Sequence, residues 1–134
     1  MPLETPAFDL SAPGSVIYDG RLAAQGVRIT RLGQSFKLAA NRAAYRADPD
    51  GYLAQADLTG EERARIKARD YRWLIRQGGH IQALQRIAAV DGCYLFHIAA
   101  HDMGVEVSEL IGACPRRVSG LGGLAAGPAG GVDG

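Results

Sequence analysis

His97 and His101 stand four residues apart in the run CYLFHIAAHDM, with Asp102 directly after the second. On a helix that spacing puts two imidazoles on one face, where a pair of histidines can grip one metal ion. Metal chemistry needs more than this run supplies. No glutamate follows the first histidine, and the other donors at hand are Asp102 and the distant His80. The plainer reading is two helix histidines that hydrogen-bond within the chain or face a partner, and the residues favour it.

Other reactive groups are weaker still. Cys93 follows a glycine and precedes His97 by one helical turn, so a thiolate–imidazole pair is conceivable. Its neighbours are apolar, which raises a thiol's pKa and marks it as a small buried hydrophobe. Gly120-Leu121-Gly122-Gly123 follows no strand and opens no helix, so it lacks the setting of a phosphate loop. Arg116 and Arg117 form a basic pair that is either solvated or able to clamp a carboxylate on an acidic surface. The residues therefore favour neither a metal site nor a catalytic set on this chain.

The elements that carry these groups are helical. A first helix is expected from about Thr30 to Tyr45, with Leu32, Phe36, Ala39, Ala40 and Ala43 on one face. Asp48-Pro49 should end it and open a short helical turn through Leu53 and Ala54. Thr59-Gly60-Glu61-Glu62 fits a capping box that starts a helix running to about Gln77, stopped by Gly78-Gly79. From His80 to Ala89, Ile81, Leu84, Ile87 and Ala88 make an apolar stripe that ends at Asp91-Gly92. Cys93 to Met103 is apolar on most sides, and a last short helix covers Glu106 to Ile111. The fold class is all-α, a single domain of about five to six helices. Residues 1–20, with a short extended stretch at Val16-Ile17-Tyr18, form an arm, and the C-terminal tail is irregular and glycine-rich. The domain is expected to span 1–123, with a disordered Gly/Ala tail over 124–134.

Composition narrows the class. A length of 134 residues suits one domain, and the formal charge of +1 gives no electrostatic footprint for nucleic acid or anionic lipid. No apolar run reaches the ~20 residues that span a bilayer. Neither Cys93 nor Cys114 belongs to a C-x-x-C pair, and no secretory pattern opens the chain, so a cytoplasmic protein with reduced thiols is expected. An apolar helix is hard to cover on all sides in so small a chain, which points to a partner.

A longer pattern runs from Pro13 to Gly123. Pro13-Gly14 precedes the Val16-Ile17-Tyr18 stretch, and Gly33, Phe36, Asn41-Arg42 and Tyr45 follow in order. Next come Tyr52-Leu53, Leu58-Thr59, the run Ala68-Arg69-Asp70-Tyr71, Gly78-Gly79, Asp91-Gly92 and Met103-Gly104. Pro115, Arg116 or Arg117, and Gly122-Gly123 close it. In this order and spacing the chain resembles the small α subunit of two-subunit extradiol dioxygenases, the protocatechuate 4,5-dioxygenase family. The resemblance implies a heteromer, an α2β2 assembly with a large β subunit. That subunit holds non-haem Fe(II) through two histidines and a glutamate and also supplies the acid–base histidine. The substrates implied are a small aromatic diol and O2, both of whose atoms are inserted as the ring opens. This chain would lie across the mouth of that site, lining the pocket and excluding water, and would be inactive alone.

On that resemblance Leu95, His97 and His101 are the expected pocket-lining residues, and Tyr94, Phe96, Ile98, Arg116 and Arg117 the expected partner interface. The protocatechuate enzymes carry an aromatic where Leu95 stands, and apolar or small residues at the positions of His97 and His101. The ring accepted here would therefore differ from plain protocatechuate, for instance a gallate, a methylated relative, an aminophenol or a biaryl catechol. Two other classes stand beside this reading. One is a stand-alone helical recognition domain, such as a peptide precursor whose Gly/Ala tail is modified. The other is a metal enzyme built on His97 and His101.

Overall fold

The computed structural model describes residues 16–113. Among these residues there are nine α-helices and no strand, so the all-α expectation holds. The helices are α1 (Gly20–Gln25), α2 (Val27–Ser35), α3 (Ala39–Ala47), α4 (Pro49–Gln55), α5 (Gly60–Lys67), α6 (Tyr71–Arg76), α7 (Ile81–Val90), α8 (Leu95–Met103) and α9 (Val107–Gly112). Three differences raise the number above the expected five or six: an unforeseen α1, and two expected helices that each break in two.

α1 starts where Asp19 accepts the Leu22 N–H. The long helix expected over 30–45 stops at Ser35 because nearby side chains cap its carbonyls. Ser35 Oγ donates to the Leu32 carbonyl at 2.6 Å, Asn41 Nδ2 to the Ser35 carbonyl at 2.8 Å, and Arg42 Nη1 to the Phe36 carbonyl at 2.7 Å. Polar side chains can compete with the helical ladder for backbone groups. The turn lets Phe36 drop into the core against Tyr45 and Tyr52, with ring centroids 5.1 and 5.6 Å away. Asp48 then caps α4 through the Gly51 N–H, with proline at the first position, as the sequence predicts.

The capping box on α5 is present in both directions: Thr59 Oγ1 accepts the Glu62 N–H, and Glu62 Oε2 accepts the Thr59 N–H. The helix does not run on to Gln77. It ends at Lys67, where Arg69 takes the left-handed conformation (φ 54°) while its N–H goes to the Ile66 carbonyl and that of Asp70 to the Arg65 carbonyl. Asp70 then restarts the chain as α6 by accepting the Trp73 N–H. The same paired back-bonds stop α6 at Gly78 (φ 95°) and α7 at Gly92 (φ 74°).

The core gathers Ile29 and Leu32 of α2, Leu74 of α6, Leu84, Ile87 and Ala88 of α7 and Ile98 of α8 around the three aromatics. α7 buries Leu84, Ile87 and Ala88 of the predicted stripe, whereas Ile81 stays exposed at its first turn. α2 and α7 approach closely at Gly33, where an added Cβ would come within 2.6 Å of Ala83 Cα. Only glycine permits that contact. Val16, Ile17 and Tyr18 are exposed and form no regular element, though the Tyr18 ring meets His80 edge-on at 5.5 Å.

Candidate functional site

α8 carries the expected site, and its surroundings explain what each residue can do. Cys93 is buried at the end of the α7 turn, with its N–H bonded to the Ala88 carbonyl at 2.9 Å. Burial pushes its thiol pKa up, with the nearby Asp91 adding to the effect, so it is a packed sulfur and not a primed nucleophile. Tyr94 opens the helix, and its N–H is taken by His97 Nδ1 at 3.0 Å. His97 Nε2 is enclosed within the chain and bonds to no protein group. That leaves His97 as a structural element of the helix start, with neither ring nitrogen offered outward.

His101 is placed differently. It is exposed, stands edge-on to Tyr71 with centroids 5.9 Å apart, and its Nδ1 faces the Arg72 N–H at 3.4 Å. Arg72 lies in the first turn of α6, so the imidazole serves an N–H that has no partner within its own helix. Asp102 turns to Arg76 at 3.8 Å. The two histidines thus address backbone groups on different elements. Among the described residues no three His, Cys, Asp or Glu groups converge as a metal cage. His97 and His101 do not share a donor site with a carboxylate among the described residues.

The helix mixes buried and exposed apolar side chains. Ile98 is 1 % exposed and packs in the core, so it presents no surface to a partner, contrary to its expected place in an interface. At the start of the helix Tyr94 is 50 % and Leu95 48 % exposed, at its end Met103 is 62 % exposed, and Val105 is exposed beyond Gly104. Phe96 and His97 are partly buried. Large apolar side chains left this open at both ends of the helix are surface that a partner could cover. Arg116 and Arg117 lie outside the described residues, as do Cys114 and the glycine-rich tail.

Elsewhere a cleft of about 340 Å³ opens beside α2 and α4, lined by Arg28, Arg31, Ser35, Tyr52 and Gln55 among others. Its polar groups are largely engaged: Ser35 meets the Tyr52 hydroxyl at 2.8 Å, and Arg28 is held by Glu62. No histidine, cysteine or lysine lines it. A second, mostly apolar hollow lies between Tyr18, Ile75, His80 and Ile81. Neither assembles a nucleophile with a base.

Two features of this arrangement were not legible beforehand. His97 as a reverse cap has no distinct signature, because histidine three residues into a helix serves many roles. His101 against α6 is a tertiary contact across 29 positions. Among the described residues no helix is long and apolar enough to cross a membrane. The family of the LigA subunit of the aromatic-ring-opening dioxygenase LigAB matches residues 29–111, well over half of the chain, from within α2 to within α9. The chain belongs to the LigA family and is one subunit of a two-subunit aromatic-ring-opening dioxygenase.

Proposed function

We propose that this chain caps the active-site mouth of a large β subunit in a cytoplasmic extradiol dioxygenase, an α2β2 assembly acting on a catecholic diol and O2. The observation that carries the reading is the exposure of the apolar side chains Tyr94, Leu95 and Met103 on α8, within a chain of this family. A cap of that kind shapes the pocket and keeps water out, and a dry site strengthens the electrostatic contacts inside it. Fe(II) belongs to the partner in this reading, because the histidines here point to Tyr94 and Arg72 and build no facial triad. Leu95 would give the pocket wall its bulk, and His101 is the exposed polar group on the same helix able to meet a ring substituent.

Reconstitution tests this directly. The purified chain with added Fe(II), O2 and a catechol panel should open no ring, and activity should appear when the large subunit is added. A chain bait should also retain a partner of roughly 30 kDa, about two domains in length. Ring opening by the isolated chain at the rate of the reconstituted complex would refute the assignment.

A further inference from the structure

Arg69 is the one non-glycine residue with a left-handed backbone among the described residues. Four helices here end at a residue of positive φ, and the other three are Gly78, Gly92 and Gly104. Glycine adopts that conformation without a Cβ penalty and would close α5 with the same two back-bonds. The arginine side chain must therefore contribute something the cap does not need.

Its Nε donates to Asp91 Oδ2 at 2.9 Å, across 22 positions of sequence. The Asp91 carboxylate is the inner partner, 17 % exposed against 54 % for the arginine side chain. Asp91 is the C-cap of α7, next to Gly92 (φ 74°) and two residues before buried Cys93. Tyr94 follows and opens α8. The pair thus ties the end of α5 to the turn from which α8 departs. A half-exposed ion pair adds little net stability, so its effect lies in direction.

We propose that Arg69 is a positioning residue: through Asp91 it fixes the α7–α8 turn, and thereby the angle at which Tyr94 and Leu95 meet the large subunit. The assignment rests on α8 being the partner-facing helix.

Arg69→Gly keeps the backbone conformation and removes the side chain, while Asp91→Asn removes the charge from the other side. Thermal unfolding and amide exchange are read on the free full-length chain, and affinity on the complex with the large subunit. Arg69→Gly should leave the unfolding midpoint unchanged or higher. Exchange at residues 93–97 should rise by about fivefold, with affinity falling by a similar factor, as one weak ion pair allows. Asp91→Asn should reproduce both effects, and the double variant should add nothing further. Unchanged exchange at 93–97 in both single variants overturns the proposal, as does faster exchange throughout the chain with a lowered midpoint. Leu95→Glu separates the two readings. If it too leaves affinity intact, the partner-facing assignment of α8 fails, and exchange alone decides whether Arg69 holds the turn.

Discussion

Arg28 and Glu62 lie 34 positions apart, and the carboxylate that grips the guanidinium is the same one that closes the cap of α5. Arg28 Nε reaches both carboxylate oxygens at 3.2 and 3.1 Å and Nη2 reaches Oε1 at 3.0 Å, while the Thr59 N–H donates to Oε2 at 2.9 Å. One buried side chain therefore joins α2 to the start of α5.

Burial alone would raise the Glu62 pKa, but the Arg28 guanidinium and the Thr59 N–H and hydroxyl outweigh it and hold the carboxyl below its ordinary value of 4.5. A depressed carboxyl stabilises the fold above its unfolded pKa and loses that contribution as pH falls through the folded one. Stability should be level at neutral pH and decline below about pH 4.5. Glu62→Gln should cost about 1–2 kcal/mol at pH 7 and flatten the acid limb. Urea titrations across pH check both, and an unaltered acid limb in the variant would show that other carboxylates set it.

Gly78 should be the least replaceable residue of the α6–α7 turn. Its φ is 95°, and a Cβ there would overlap the Leu22 carbonyl, which is backbone and cannot swing aside. Gly78→Ala should destabilise the chain by roughly 2–3 kcal/mol. Gly104→Ala, also at positive φ (71°) but with nothing within 4 Å, should cost only about 1 kcal/mol. Comparing the two melting curves separates the clash from the conformational penalty.

Leu95→Glu should leave the free chain folded, because the side chain is half exposed, yet weaken association with the large subunit by several kcal/mol. Ile98→Ala on the same helix should do the reverse, lowering the stability of the free chain by about 2–4 kcal/mol as its cavity opens. Co-purification combined with thermal melts discriminates between the exposed and the buried side chain.

The two histidines should behave differently. His97→Ala removes the acceptor for the Tyr94 N–H and should lower stability by about 1 kcal/mol. His101→Ala should instead shift the ranking of kcat/KM among catechols that differ in a polar substituent, since a lost hydrogen bond discriminates more sharply than a change in apolar fit. An identical ranking in the His101 variant would make that residue a bystander.

Local signals were easy to read in the sequence, and long-range ones were not. The Thr59–Glu62 box, Asp48-Pro49, Gly78-Gly79 and Asp91-Gly92 each fix a helix end with groups a few residues apart. The break after Ser35 is also local, but it rests on Asn41 and Arg42 reaching back to carbonyls, which periodicity does not register. Arg69 defeats prediction for another reason: a left-handed arginine is disfavoured, and only its tertiary partner Asp91 accounts for it. At the candidate site, the partial exposure of α8 was foreseeable only in outline. A nearly all-apolar helix does not reveal which of its side chains its own chain will claim, and Ile98 fell to the core while Leu95, one turn earlier, did not.

The helices described above are six to ten residues long. In water a segment of that length barely persists as a helix once detached, because its nucleation cost is recovered over too few bonds. The helical content of this chain is therefore hostage to its interior: remove the interior and the spirals go with it. Far-ultraviolet and aromatic circular dichroism should lose their signals at one common midpoint, and a protease that nicks a connecting loop should leave no half that survives as a folded piece.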